Sequence, residues 1–404
     1  MNAVGIDVSK GKSTIAVMRP FGEVVASPFE ILHTAGELRK LVDFLKSLTG
    51  ETSIVMEYTG KYSDVIARNL HEAGLFVCII NPILIHGYAN NSIRKVKTDK
   101  KDAVKIANYA IDRWLDLSEF NPAEDIRLLL KTYNRQYNHY MKLKVSLKNN
   151  LISLLDQTFP SMNTLFTNRP RKSDGHEKWL DFAAQFWHCE CVSKVSELTF
   201  MERYRKWCKK TGYHFSEEKA KTIYAAASEQ IGILPKDELT KQLVVLAARQ
   251  MNAVMESLAV LLEKMNELAS NLPEYTVVME MHGVGQVFGP QLIAEIGDIH
   301  RFKNKASLVA FAGIDAPPYQ SGAFESHNRS ISKRGSPVLR KTLFQVMSSI
   351  LQSSSADNEV FQYLDKKRAE GKHYYVYMIA GANKFLRRYY ARVKAHLDSI
   401  DCTS

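Results

Sequence analysis

The strongest constraint on how this chain can fold is a change of apolar period near residue 123. Before it, short apolar runs alternate with turn signals; after it, apolar residues recur every three or four positions over long stretches. Residues 3–28 read as three short strands, "AVGIDV", "STIAVM" and "GEVVAS", with Lys10-Gly11-Lys12 and Pro20-Phe21-Gly22 as turns. Thr34, with Glu37 three residues on, has the capping-box pattern and predicts a helix. "TSIVME" predicts a buried strand, "YSDVIARNLHEAG" a helix ending on Gly74, and "LFVCIIN" a strand stopped by Pro82. Three antiparallel strands followed by alternating helices and strands predict a mixed α/β sheet covered on both faces.

Further on, Leu130, Tyr133, Tyr137, Tyr140, Leu147, Leu151 and Leu154 follow 3- and 4-residue steps, with Lys144 in one expected apolar slot. Val244, Ala247, Met251, Val254, Leu258, Leu261, Met265 and Leu268 repeat the pattern. Two such helices of similar length predict an antiparallel hairpin or an intersubunit coiled coil. Residues 161–235 between them read as less regular, and Pro273 closes the second helix. The stretch "VVMEMHGVGQVFGPQLIAEIGD" then has a helix–hairpin–helix pattern, in which Gly283 and Gly285 would let backbone N–H groups approach a phosphate. The expected class is α/β plus α: a sheet domain over 1–118, a helical coiled-coil region with an irregular insertion over 119–273, and a mostly helical C-terminal domain over 274–404. The order of elements in the first domain is that of the ribonuclease H-like fold.

A chain of 404 residues with 45% hydrophobic and 24% charged residues can bury several cores, and its net charge of +11 favours an anionic partner. The cations cluster. Three acid-free stretches carry Arg127, Lys131, Arg135, Lys142, Lys144 and Lys148; then Arg329, Lys333, Arg334, Arg340 and Lys341; then Lys372, Lys384, Arg387, Arg388, Arg392 and Lys394. Tyrosines interleave the first and last, a combination suited to nucleic acid as well as to the cores of amphipathic helices. The five cysteines are irregularly spaced, and Cys189 and Cys191 stand too close for a zinc knuckle, so thiols are expected. "MNAVGIDVSK" carries an acid where a signal peptide would be apolar, and a cytosolic protein without a membrane span is expected.

Four carboxylates carry the chemistry. Asp7 follows an apolar strand start, Glu57 ends a second apolar run, and Asp99 and Asp102 stand three apart at a helix start. An acid on a buried strand is costly unless paired or bound to metal, and hard cations such as Mg²⁺ take convergent oxygen ligands. Two such ions can clamp the attacking and leaving oxygens of a phosphodiester. Each acid alone could be a cap or a surface charge. Lys97, Lys100 and Lys101, beside the last pair, could hold a phosphate backbone. A second cluster, "YQSGAF" followed by "ISKRGSPVLR", puts Ser321 near a basic loop, with Ser330, Ser332 and Ser336 as rivals on composition.

"GIDVSK", "MEYTG" and "KTDKKDA", followed by "HGVG", "AEIGDIHRF", "AFAGIDAPPYQSG" and "ISKRG", resemble the IS110/IS1111 family of insertion-sequence transposases. The resemblance covers roughly residues 1–115 and 275–345. It implies a RuvC-like domain whose D-E-D-D set falls on Asp7, Glu57, Asp99 and Asp102, and a C-terminal serine that falls on Ser321. It further implies Mg²⁺ (with Mn²⁺ as substitute) on the acids, a covalent serine–DNA intermediate, and a homo-tetramer in which acids and serine come from different subunits. A structured non-coding bridge RNA would pair with target and donor DNA, with Arg329, Lys333, Arg334, Arg340, Arg387, Arg388, Arg135 and Lys142 among the residues holding backbone. Two rival readings are a RuvC-like nuclease that hydrolyses branched DNA and a non-catalytic nucleic-acid scaffold.

Overall fold

The computed structural model describes every residue except 89–97, 123, 167–169, 172–173, 318–319, 322–323, 326–329, 354–357 and 403–404. The chain divides into two compact units, Met1–Pro122 and Ala123–Ser404.

In the first unit, β1 (Asn2–Ser9), β2 (Lys12–Met18) and β3 (Val24–Leu32) form an antiparallel meander. Lys10 and Gly11 make the β1–β2 turn, and Gly11 sits at φ 78°, a conformation that suits glycine. There follow α1 (Ala35–Ser47), β4 (Thr52–Glu57), α2 (Lys61–Glu72), β5 (Phe76–Ile80), α3 (Pro82–Tyr88) and α4 (Asp99–Asp112). Thr34 caps α1 by accepting the Glu37 N–H at 3.4 Å. Strand β4 pairs parallel with β1, and β5 parallel with β4, giving the order β3-β2-β1-β4-β5. The pleat sorts side chains to two faces. Val4, Ile6, Ile54 and Met56 pack on Leu38, Leu41, Ile66 and Leu70 of α1 and α2. Ala3, Val55 and Cys78 pack under Ile106, Ala107 and Ala110 of α4. The sheet is mixed and covered on both faces, as its apolar runs predict.

The second unit is helical. Its first helix is α5 (Asp125–Thr158), followed by α6 (Lys178–Gln185), α7 (Glu190–Ser193), α8 (Glu197–Thr211), α9 (Glu217–Glu229) and α10 (Glu238–Ser270). Helices α5 and α10 run antiparallel: Leu130 and Tyr137 share a cluster with Leu258 and Met265, whereas Leu151 and Leu155 share another with Val244, Ala248 and Met251. Of the two arrangements the heptads allowed, the hairpin forms within one chain. Lys144 occupies its apolar slot by pairing with Glu177 at 3.0 Å. Helix α10 is the one described helix long and apolar enough to cross a membrane by length and composition, and 33% of its apolar window is buried inside the fold.

The stretch 161–235, expected to be less regular, is largely helical. Its helices are too short to show a long period, and they close around an aromatic core of Phe182, Phe186, Phe200, Tyr204 and Trp207. All five cysteines are free thiols. The chain ends with α11 (Tyr275–Met279), α12 (Gly285–Ile296), α13 (Lys305–Ala312), a two-residue ladder of β6 (Gln320–Ser321) on β7 (Phe324–Glu325), α14 (Pro337–Ser353), α15 (Glu359–Ala369) and α16 (Tyr374–Asp401). One hydrophobic cluster runs from Leu130 of α5 through α10 and α12 to Leu397 of α16, so residues on either side of 273 share a core.

Candidate functional site

The acids of the first unit share one edge of its sheet. The parallel register pairs Gly5 with Val55 and Ile6 with Met56, so Asp7 and Glu57 come next on adjacent strands, about 5 Å apart by backbone spacing. They have the parity of Ala3 and Val55 and therefore lie on the α4 face. Helix α4 reaches that face because residue 5 has no side chain. A Cβ on Gly5 would stand 2.1 Å from the Ala103 carbonyl oxygen and 2.4 Å from the Ala107 nitrogen. With Ala103 over Gly5, the first turn of α4 falls toward the C-terminal ends of β1 and β4. That turn carries Asp99 and Asp102, three apart on one side of the helix, and Thr98 caps it by accepting the Lys101 N–H at 3.3 Å.

Lys12 opens β2 at the same edge. Glu30, 2.7 Å away, raises its pKa, and Asp99 contributes in the same direction. Asp7, Glu57 and Asp102 are half-buried and Asp99 is exposed. Among the described residues, no three His, Cys, Asp or Glu side chains stand close enough to hold a metal ion. Carboxylates are the donor type a hard divalent cation takes, but in this structure the described side chains do not converge into a ligand set. Lys100 and Lys101 are exposed beside them. Lys97 lies outside the described residues.

In the second unit, "AFAGIDAP" and "ISKRGSP" are knitted together backbone to backbone. The N–H groups of Ser332, Lys333 and Ser336 donate to the carbonyls of Asp315, Gly313 and Phe311 at 2.8, 3.1 and 2.7 Å. Gly335 permits the approach: a Cβ there would meet the Phe311 oxygen at 2.2 Å. Of the rival serines, Ser332 donates to Asp315 at 2.5 Å. Ser336 donates to Glu295 at 2.9 Å and accepts the Leu339 N–H at the start of α14, so both hydroxyls have structural work. The backbone of Ser321 lies between the two stretches and pairs with Phe324 in the short ladder. Arg329 lies outside the described residues.

Glu295 anchors this knot. It is almost fully buried and accepts from Asn134 at 2.9 Å, Arg135 at 2.8 Å and Ser336. Three donors offset the desolvation of one carboxylate and tie α5 to the start of α14. Sequence reasoning placed Arg135 on nucleic acid and did not single out Glu295. The signal was present: an acid inside the apolar run "LIAEI" needs a partner.

Beside the knot opens a groove of about 1600 Å³ between α13, α14, α15 and α16. Lys333, Arg340 and Arg387 line it, together with Lys341 and Lys384, while Ala316 and Ser330, on either side of the Ser321 ladder, form part of its wall. Lys333 takes φ 53°, unusual for a lysine, and is exposed at the rim. Arg334 is exposed next to it, and Lys142 is exposed on α5. Arg388 instead forms an ion pair with Glu359. Gly283 packs against α14, where a Cβ would meet Ile350 at 2.4 Å, whereas Gly285 faces open space.

The acids thus lie on one sheet edge of the first unit, and a basic groove opens in the second. Residues 4–160 match a family model described as "Transposase", and residues 275–362 match one described as "Transposase IS116/IS110/IS902 family", between them more than half of the chain. The chain is 23% identical over 372 residues to the insertion element IS116 uncharacterized 44.8 kDa protein of Streptomyces clavuligerus, covering 91% of this chain and 88% of that protein. It is 21% identical over 346 residues to the pilin gene-inverting protein of Moraxella bovis, covering 86% of this chain and 81% of that protein. A match to the insertion element IS900 uncharacterized 42 kDa protein of Mycobacterium paratuberculosis has 24% identity over 44% of each chain. The chain belongs to the IS110 family of transposases.

Proposed function

We propose that this transposase cleaves and rejoins DNA with a serine nucleophile and a metal-binding acid set, guided by a structured RNA that pairs with target and donor DNA. The observation that carries the reading is the common edge and face of Asp7, Glu57, Asp99 and Asp102 in the first unit. The strand order β3-β2-β1-β4-β5, with the first three strands antiparallel, supports a ribonuclease H-like, RuvC-like frame for them. A relative named for inverting a pilin gene supports strand exchange, because inversion requires DNA to be broken and rejoined.

Asp7, Glu57, Asp99 and Asp102 would hold Mg²⁺, or Mn²⁺ in its place. An ion held there would supply positive charge to offset that developing on the scissile phosphate. The Ser321 Oγ attacks phosphorus as its proton passes to a general base. The P–O bond to the departing strand breaks, and that strand leaves with its oxygen protonated. The resulting phosphoserine ester is opened by the hydroxyl of the incoming strand, which restores Ser321. Lys100 and Lys101 hold backbone beside the acids. The acids and Ser321 lie in separate compact units, which is compatible with a homo-tetramer, a dimer of dimers, that assembles each centre from more than one subunit.

The test uses the full chain with the RNA that copurifies with it and a DNA carrying the element's junction. A denaturing gel should show a protein–DNA adduct that is lost in Ser321→Ala, in Asp7→Asn and on chelation of divalent cations. Free 5′-phosphate ends without adduct would instead identify a hydrolytic nuclease, and an adduct persisting in Ser321→Ala would refute the serine.

A further inference from the structure

We propose that the groove beside the Ser321 ladder binds an unpaired strand of nucleic acid, its phosphates on the groove's cations and a base stacked on the exposed ring of Tyr375. Three observations point there. The first is uncompensated charge. Lys333, Arg340, Lys341, Lys384 and Arg387 line the groove, and among the described residues none of them forms an ion pair with a carboxylate. Their polar contacts are with neutral groups: Arg340 donates to the Ala312 carbonyl, Lys341 to Asn138, Lys384 to the Glu359 carbonyl and Arg387 to Asn383. Among the described residues Asp315 is the one acid in the lining, and it already accepts from Ser332. Against these five cations stand Asp315 and, near Lys384, the Glu359 carboxylate that already pairs with Arg388, which leaves an excess of positive charge that attracts a polyanion.

The second observation is an exposed ring. Tyr375 is 60% exposed at the start of α16, its ring edged by Phe344, His373 and Tyr374 with centroids 6.2, 5.7 and 5.3 Å away. Tyr363 is half-buried and has the Lys384 and Lys367 ammoniums over its ring at 5.1 and 5.8 Å, so Tyr375 is the ring a base can stack on. An exposed ring costs solubility and contributes nothing to a core, whereas a base offers it a face. A duplex presents phosphates outward and keeps its base faces stacked inside, so it could use the cations but not the ring. The third is size. The volume exceeds the roughly 300–1,000 Å³ of small-molecule sites, which favours a polymer.

This inference rests on the proposed reading only in taking the anion to be nucleic acid. Its test is binding without divalent cation, on full chain carrying Ser321→Ala, so a failure of strand cleavage and a failure of strand binding are read separately. Fluorescent twelve-nucleotide probes of oligo-dT, oligo-U and a duplex are compared by anisotropy at one salt concentration. An unpaired probe should bind at least about tenfold more tightly than the duplex. Tyr375→Ala should weaken it by about 5- to 100-fold while leaving the duplex unmoved. Lys384→Ala and Arg387→Ala should each lower the single-strand salt slope by about 0.7. Preference between oligo-dT and oligo-U tells whether the strand is DNA or RNA, and either supports the site. Equal duplex binding, or indifference to Tyr375→Ala, overturns it. Photocrosslinking of a bromouracil-substituted probe should fall on Tyr375, and crosslinks confined to other parts of the chain would overturn it as well.

Discussion

Gly5→Val is expected to dislodge α4 from the sheet and to abolish every activity that needs Asp99 and Asp102 beside Asp7. The reason is steric and has little room to relax. Overpacking a filled core costs about 1–3 kcal/mol when side chains can give way. Here a Cβ would meet the Ala103 carbonyl oxygen at 2.1 Å and the Ala107 nitrogen at 2.4 Å, so both sides of the clash are backbone. The helix must move as a body, and the expected cost is about 3 kcal/mol or more. That displacement also unseats Ile106, Ala107 and Ala110 from Ala3 and Val55. Hydrogen exchange on the full chain should show lost protection across Asp99–Asp112, with α14 and α16 unchanged. Gly36→Ala is the control. It lies in the first turn of α1 with open space where its Cβ would go, and it should be neutral or slightly stabilising. Undiminished protection of α4 in Gly5→Val would show that Gly5 does not set the helix's approach.

That glycine marks where sequence reasoning reaches its limit. The strands were legible because Val4, Ile6, Ile54 and Met56 alternate with residues of the other face and are punctuated by turns. The acids were legible because Asp7 and Glu57 are costly residues at the ends of apolar strands. Why residue 5 must be glycine was not legible, since the atoms it admits are about a hundred positions away. The same holds for Glu295, whose partners Asn134 and Arg135 lie 161 and 160 residues earlier. The groove joins four helices from residues 305 to 401, and its cations read in sequence only as basic stretches. The insertion hid its order differently: its helices are short, and its core is built from rings touching across elements, which leaves no period in the chain.

Glu274→Ala is expected to destabilise the second unit by about 3–5 kcal/mol, the cost of stranding a buried guanidinium. Arg127, near the start of α5, is 9% exposed, and its NH1 and NH2 both donate to Glu274, whose side chain is 1% exposed. Burial pushes the Arg127 pKa down, and Glu274, with the charges of Glu124 and Asp298, more than reverses it, so the guanidinium stays charged. Glu124, 3.3 Å away, is largely exposed and cannot replace a buried partner. The pair joins α5 to the turn between α10 and α11, beside the apolar cluster that Leu130 shares with Met265, Ala269 and Leu272. If its role is only mutual compensation, removing both charges together should cost far less than removing one. Arg127→Met with Glu274→Leu should therefore recover most of the loss, or exceed the wild type, because apolar packing can match a buried ion pair. Urea unfolding followed by circular dichroism decides it through the midpoint at constant slope. A double variant as unstable as Glu274→Ala would mean that the pair's geometry, and not the compensation of its charges, holds α5 against α10.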